Sequence, residues 1–104
     1  MEDFLENFEG FIWDTGNHIK NVLKHSVSNE ECEAIFVNRF GIVFDDVRHS
    51  IQEARYIIIG PTGESRILTI SFTIRNNFVR VISARDASRK ERKIYEETFK
   101  TAQI

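Results

Sequence analysis

The chain of 104 residues is short of cysteine and of long apolar segments. Its single cysteine, Cys32, cannot form a disulfide within the chain, which is typical of proteins in a reducing compartment. No apolar run approaches the roughly 20 residues of a membrane-spanning helix. The acidic start, Met1-Glu2-Asp3, is unlike a signal peptide. We therefore expect a cytoplasmic protein that makes no contact with a membrane.

Sequence motifs for nucleotide and metal chemistry are also missing. There is no phosphate-binding glycine loop, no Gly-x-Ser-x-Gly element and no dinucleotide fingerprint. Four side chains are candidate metal ligands, but none of their spacings is typical of a zinc site; they are His18, His25, His49 and Cys32. We expect no cofactor and no intrinsic metal site. Cys32 falls on the apolar side of a predicted helix, which favours a small buried hydrophobic residue over a nucleophile.

The chain does contain enough apolar material for one folded domain. Hydrophobic residues make up 41% and aromatic residues 12% of the sequence, which excludes an intrinsically disordered chain. There is no internal repeat, no low-complexity tract and no Pro/Gly-rich linker. The one proline, Pro61, belongs to a turn motif, Gly60-Pro61-Thr62-Gly63. Residues 1–104 are therefore predicted to form a single domain.

Charge is distributed unevenly along the chain. Residues 1–54 contain eleven Asp and Glu and four Lys and Arg, whereas residues 55–104 contain ten Lys and Arg and five Asp and Glu. Nine of the cations are arginines, and seven of these follow residue 54. Because the planar arginine fork binds phosphate well, the basic half favours an anionic partner. A solvated surface with scattered salt bridges is the alternative.

The N-terminal part predicts one strand and two helices. Residues 8–13 are apolar and aromatic enough for a short strand. Asp14 can then cap a helix whose apolar positions share one side; these positions are Ile19, Val22 and Leu23. Ser28 followed by Glu31 is a capping-box pattern, which opens a second helix.

The C-terminal part predicts four strands and one helix. The strands cover residues 40–44, 55–59, 68–74 and 78–84, and Asn76-Asn77 marks a tight turn between the last two. The third of these strands alternates apolar residues with Thr and Ser, which predicts a half-buried strand. Ser88 with Glu91 repeats the capping box and opens a helix that ends near residue 101. The predicted fold class is α+β: a small antiparallel sheet of about four strands, two N-terminal helices and a C-terminal helix.

The basic and polar residues of the chain suit RNA cleavage without a metal; His25, Glu53, the lysines and the arginines have the right types. In that reaction the 2′-hydroxyl attacks the adjacent phosphate, and the protein supplies a base, an acid and cations. Glu53 and Arg55 are two residues apart and could pair if the segment is extended. Arg80 and Arg85 are five positions apart, an odd number. Their side chains are therefore predicted to lie on opposite faces of the sheet, unless the strand ends before Arg85. Tyr95 is expected in the core.

A basic cluster marks the end of the first predicted helix. Lys20 and Lys24 share one side of that helix, and His25 stands where it should stop. A basic helix C-terminus is also ordinary compensation of the helix dipole. Residue types alone therefore indicate a nucleic-acid binder and no more.

Several short motifs follow one another along the chain. They are Trp13-Asp14, Asn21-Val22-Leu23-Lys24-His25, Glu53-Ala54-Arg55 with Ile59-Gly60, Phe72-Thr73-Ile74-Arg75, and Ile82-Ser83-Ala84-Arg85-Asp86-Ala87-Ser88-Arg89-Lys90-Glu91-Arg92 closing with Tyr95-Glu96. Together they cover most of the chain, and the last is the most specific. On these motifs the chain resembles the BrnT family of type II toxins, whose fold is similar to that of the RelE ribonucleases.

The resemblance implies a metal-independent ribonuclease that inhibits translation. It also implies a cognate BrnA-like antitoxin with a ribbon-helix-helix part, through which alone the complex would bind promoter DNA. The implied catalytic residues are His25, Glu53, Arg80 and Arg85. The implied substrate-binding residues are Lys24, Arg55, Arg75 and Tyr95, and we add Lys20 and Arg89 from the basic clusters on the first and last predicted helices. We expect proton transfer from His25 or Glu53, and phosphate binding from the arginines.

Two positions depart from the family pattern. Asn17 stands where the family usually has a lysine, and Ser26 replaces the glycine that usually follows the histidine. Glycine would end the helix in a left-handed conformation at little cost, so Ser26 implies a different cap or strained backbone. Two alternatives stay open: a non-catalytic regulatory or interaction subunit with the same fold, which Asn17 favours, and a nucleic-acid-binding module without catalysis.

Overall fold

The computed structural model describes residues 7–14, 26–38, 41–63 and 66–102. The elements within these ranges are β1 (Gly10–Ile12), α1 (Asn29–Asn38), β2 (Ile42–Asp45), a 3-10 turn (Val47–His49), β3 (Arg55–Pro61), β4 (Ile67–Arg75), β5 (Phe78–Asp86) and α2 (Arg89–Ala102). The helix predicted after Asp14 falls on residues 15–25 and lies outside the described residues. Neither described helix has the length and apolarity that crossing a membrane requires.

The five strands form one mixed sheet in the order β1-β5-β4-β3-β2. Strands β2 to β5 pair antiparallel with their neighbours, whereas β1 pairs in parallel with β5, placing Ile12 opposite Arg80. The α+β class is confirmed, but the prediction of an antiparallel sheet of about four strands is wrong in both respects. Hydrophobic periodicity identifies residues 8–13 as a strand, yet it carries no information about the edge that this strand joins.

One face of the sheet, called here the core face, packs against α1. Phe36 of α1 makes edge-to-face contacts with Phe8, Phe11 and Phe72 at centroid distances of 6.4, 5.6 and 5.0 Å. These contacts join the β1 segment and α1 to the middle strand of the sheet. Cys32 is buried beside them, as predicted, and burial raises the pKa of its thiol to about 12. It is an inert core residue.

The opposite face carries α2, which lies against β3 and β2. Thr69 of β4 donates a hydrogen bond to Glu91 in the first turn of α2 at 3.0 Å, which fixes the helix on this side. Thr73 of β4 donates to the carbonyl of Ala54 at 2.7 Å. Both threonines are buried, so the prediction of a half-buried strand is wrong. This face of β4 is covered because α2 contacts it at Thr69 and the segment before β3 contacts it at Thr73.

The local signals for helix starts and for the tight turn are confirmed. The hydroxyl groups of Ser28 and Ser88 accept the backbone N–H of Glu31 and Glu91, both at 3.1 Å. The two glutamates accept the serine N–H groups in return, at 3.1 and 2.8 Å. Asn76-Asn77 adopts φ of 52° and 69° between β4 and β5. These short-range patterns specify α1, α2 and the β4–β5 hairpin from sequence.

Candidate active site

A β-bulge in β5 places Arg80 and Arg85 on the same face of the sheet. Arg80 lies opposite Thr73 and Arg85 opposite Thr69 on β4, and between these pairs the register shift leaves Ile82 as an extra residue. The two threonines are four residues apart and share a face, so their directly opposed partners share it too. The prediction that Arg80 and Arg85 lie on opposite faces is wrong. The strand continues through Arg85, but the extra residue of the bulge shifts the alternation of side chains by one position.

This surface, called here the arginine face, gathers three arginines around Thr73. Arg55 of β3 and Arg80 of β5 flank Thr73 in one row across the sheet. Their Cα atoms are therefore about 10 Å apart, two strand spacings. Arg75 lies two residues further along β4 and on the same side. Because guanidinium groups form charge-assisted hydrogen bonds with phosphate oxygens, this cluster is suited to binding an anion.

Two carboxylates accompany these arginines. Glu53 accepts hydrogen bonds from Nε and Nη2 of Arg75 at 3.3 and 3.2 Å. Asp14, just after β1, lies 3.5 Å from Nη2 of Arg80. The pairing of Glu53 with Arg55 required an extended segment, and that condition is not met, because residues 51–53 form a bend.

A depression of about 450 Å³ opens beside this cluster. Its lining includes Glu53, Arg55, Arg75 and also His49. Nδ1 of His49 lies 2.9 Å from Oδ2 of Asp46, the residue just before the 3-10 turn. Sequence reasoning considered His49 only as a metal ligand and so missed it here. The available signal was the Asp46-x-x-His49 spacing, which aligns two side chains on a 3-10 turn.

Arg85 occupies the other end of the arginine face, about 13 Å from Arg80 along the strands. Its two terminal nitrogens bind Glu91 at 2.7 and 3.0 Å. The hydrogen bonds from Arg85, from the Ser88 N–H and from Thr69 hold the pKa of the Glu91 carboxyl at about 2, far below its usual range. Arg80 and Arg85 therefore belong to one surface, but they are too far apart to bind the same phosphate.

Replacing Glu91 with glutamine is expected to destabilise the fold in a pH-dependent way. Because the pKa of Glu91 is lowered in the folded state, its contribution is complete above about pH 4.5 and is lost as the pH falls toward 2. We expect Glu91→Gln to lower the free energy of unfolding at pH 7 by about 2 kcal/mol. This value is smaller than the pKa change alone implies, because Arg85 is half exposed and solvent screens its charge. Urea unfolding at pH 7 and at pH 2.5 compares the full contribution with one that is largely lost.

Glu96, an exposed carboxylate of the same helix, provides the matched control. Glu96→Gln should leave the free energy of unfolding unchanged at either pH. A Glu91→Gln deficit that persists unchanged at pH 2.5 would contradict the assignment of the stabilisation to the ionised carboxylate.

The sequence-predicted residues Lys20, Lys24 and His25 lie outside the described residues. The next residue, Ser26, has a φ of 54°, so it does adopt the left-handed backbone that glycine would favour. Its carbonyl accepts a hydrogen bond from Nη1 of Arg66 at 2.9 Å, and Arg66 also binds Glu31 and Asp86. Because Arg66 directly precedes β4, Ser26 lies at the opposite end of that strand from Glu53.

Two further candidates lie apart from the arginine cluster. Tyr95 is only 7% exposed, and burial raises the pKa of its hydroxyl; it is a core residue and we do not place it in the site. Arg89 is exposed at the start of α2, beside a shallow depression of about 290 Å³. In the part of the chain that the structure describes, no three His, Cys, Asp or Glu side chains are placed to hold a metal ion together.

Comparisons with known proteins agree with this architecture. A family model described as "Ribonuclease toxin, BrnT, of type II toxin-antitoxin system" matches residues 13–91. A solved structure, that of the Brucella abortus ribonuclease toxin BrnT, is similar with a TM-score of 0.60 and 24% sequence identity, over 77% of this chain and 97% of that chain. No curated protein matches the chain. The structural similarity concerns the fold, and the family match covers both ends of the arginine face.

Proposed function

The chain belongs to the BrnT family, the ribonuclease toxins of type II toxin-antitoxin systems, and we propose that the arginine face of its sheet is where RNA is bound and cut. The observation that carries the proposal is the row of Arg55, Thr73 and Arg80, joined by Arg75. It combines several cations with the nearby carboxylate of Glu53. A toxin of this type has a cognate antitoxin as its partner.

The proposed reaction is attack of the RNA 2′-hydroxyl on its own 3′-phosphate. The arginines around Thr73 bind the phosphate and stabilise the negative charge that grows on its oxygens. Glu53 is in reach of the same depression and has the residue type of a general base. His25 is the other predicted proton-transfer residue, with Lys20 and Lys24 as predicted phosphate contacts.

Arg85 and Arg89 are proposed to bind the RNA on one side of the cut. Arg85 is about 13 Å from Arg80, which is too far for the scissile phosphate and suited to a flanking one. Its bidentate contact with Glu91 holds the guanidinium in a fixed orientation. Arg89, two residues before Glu91, extends the basic surface onto α2.

The remaining partner assignments follow from the family and from the charge distribution. We propose that the antitoxin is BrnA-like, that promoter DNA is bound only through it, and that the toxin acts in the cytoplasm as a single domain of residues 1–104. The basic half of the chain supports RNA as the direct ligand.

A cleavage assay on partner-free protein with a chelator present tests the proposed function. We expect cleavage of RNA to continue with the chelator, and Arg85→Ala to lower its rate by more than tenfold while the protein stays folded. Arg48→Ala, which removes an exposed arginine of the 3-10 turn, is the matched control and should cleave normally. Cleavage that the chelator abolishes, or folded Arg85→Ala with normal turnover, would contradict the proposed arrangement.

A further inference from the structure

We propose that His49, oriented by Asp46, is a catalytic residue that gives a proton to the leaving oxygen of the RNA. The inference rests on the proposed function, because it requires an RNA-cleaving site at Glu53. Its basis is that His49 lines the same depression as Glu53, Arg55 and Arg75. A metal-independent ribonuclease needs a base, an acid and phosphate-binding cations within one cavity, and these four side chains supply all three.

The Asp46–His49 contact prepares the histidine for proton transfer. Both carboxylate oxygens of Asp46 lie near Nδ1 of His49, at 3.1 and 2.9 Å. Because a carboxylate accepts the hydrogen bond, Nδ1 carries the hydrogen and Nε2 is left for the substrate. The side chain of Asp46 is 14% exposed and that of His49 is 60% exposed. A shielded carboxylate thus orients an imidazole that the substrate can reach.

The backbone around this pair is tied to the sheet. The hydroxyl of Ser50 donates to the carbonyl of Asp46 at 2.7 Å and accepts the backbone N–H of Arg55 at 3.0 Å. The N–H of Asp46 donates to the carbonyl of Arg55 at 2.9 Å. These bonds fix the 3-10 turn against the first residue of β3, whose side chain lines the depression. The backbone that carries His49 is therefore held against Arg55.

The proposed step balances in protons and bonds. The 2′-oxygen forms a bond to phosphorus as its proton passes to the Glu53 carboxylate. The bond from phosphorus to the 5′-oxygen breaks, and the Nε2 proton of the His49 imidazolium passes to that oxygen. The products are a 2′,3′-cyclic phosphate and a 5′-hydroxyl, and exchange with water restores both side chains. Asp46 acts as a positioning residue, since it orients the imidazole through Nδ1 without touching the RNA.

The test compares two substrates that differ in the leaving group. One is an RNA oligonucleotide, whose 5′-alkoxide must be protonated as it leaves. The other is a ribonucleoside 3′-(4-nitrophenyl phosphate), whose phenolate leaves without protonation. We expect His49→Gln to lower the rate on RNA by about a hundredfold and to leave the rate on the activated substrate near that of the parent chain. Asp46→Asn should show a smaller loss with the same dependence on the leaving group, which a purely structural defect would not produce.

Matched variants make the result decisive. Arg48→Gln alters the residue beside His49 in the same exposed turn and should cleave both substrates normally. His25→Gln tests the alternative acid: if it shows the leaving-group-dependent loss and His49→Gln does not, the assignment to His49 is overturned. Equal losses of His49→Gln on both substrates also overturn the acid role. The proposed function fails separately, when Glu53→Gln and Arg80→Ala both leave cleavage unchanged.

Discussion

Replacing Arg80 with alanine is expected to lower the rate of RNA cleavage by about a hundredfold, the loss typical of one transition-state donor. Arg80 flanks Thr73 opposite Arg55, and its side chain is 21% exposed. In such partly desolvated surroundings a charge-assisted hydrogen bond to phosphate is stronger than at the open surface. Single-turnover measurements on partner-free protein report the effect on the chemical step.

Two companion variants separate charge from geometry and from folding. Arg80→Lys keeps the charge but lacks the planar fork, so an intermediate rate is expected. The ion pair with Asp14 that Arg80→Ala removes is long, at 3.5 Å, and half exposed, so its loss should cost less than about 1 kcal/mol of stability. Thermal unfolding checks this expectation. Normal turnover by folded Arg80→Ala would exclude the row around Thr73 as the site of cleavage.

The local structure of this protein is largely predictable from its sequence. The capping boxes at Ser28 and Ser88 and the turn at Asn76-Asn77 each depend on hydrogen bonds or dihedral angles within four residues. Such signals do not require knowledge of the rest of the fold. The strands of the hairpin and the burial of Cys32 followed from the pattern of apolar residues, and the α+β class followed from the order of strands and helices.

The placement of the arginines depends on a feature that alternation cannot reveal. A strict period of two assigns Arg80 and Arg85 to opposite faces, and one extra residue at Ile82 brings them to the same face. No residue type in this stretch marks the bulge, since Ile82 is a good strand former. The bulge is a feature of the pairing between β5 and β4, and alternation along a single strand does not describe that pairing.

The site also includes contacts that no linear motif specifies. Glu53 reaches Arg75 rather than Arg55 because a bend precedes β3, and Asp14 reaches Arg80 because β1 joins the free edge of β5. Sequence identified Glu53 and the arginines by type and by family resemblance. It missed His49 because the depression that His49 lines is formed by the turn, the bend and the end of β4 together.

Replacing Glu53 with glutamine is expected to lower cleavage of RNA by a hundredfold or more, about the contribution of a general base. Glutamine has nearly the same shape and its carbonyl can still accept a hydrogen bond from Arg75, so the guanidinium keeps a partner. What disappears is the group that takes the proton of the 2′-hydroxyl. The 2′-hydroxyl must lose its proton with either leaving group. The decrease in rate should therefore be the same on RNA and on the nitrophenyl substrate.

Glu30→Gln provides the control. Glu30 is an exposed carboxylate of α1, and α1 packs on the side of the sheet opposite the arginine face. It should cleave both substrates normally. A Glu53→Gln defect that vanishes on the nitrophenyl substrate would make Glu53 the acid and exchange its role with that of His49. Normal cleavage of RNA by folded Glu53→Gln would leave His25 as the remaining predicted base.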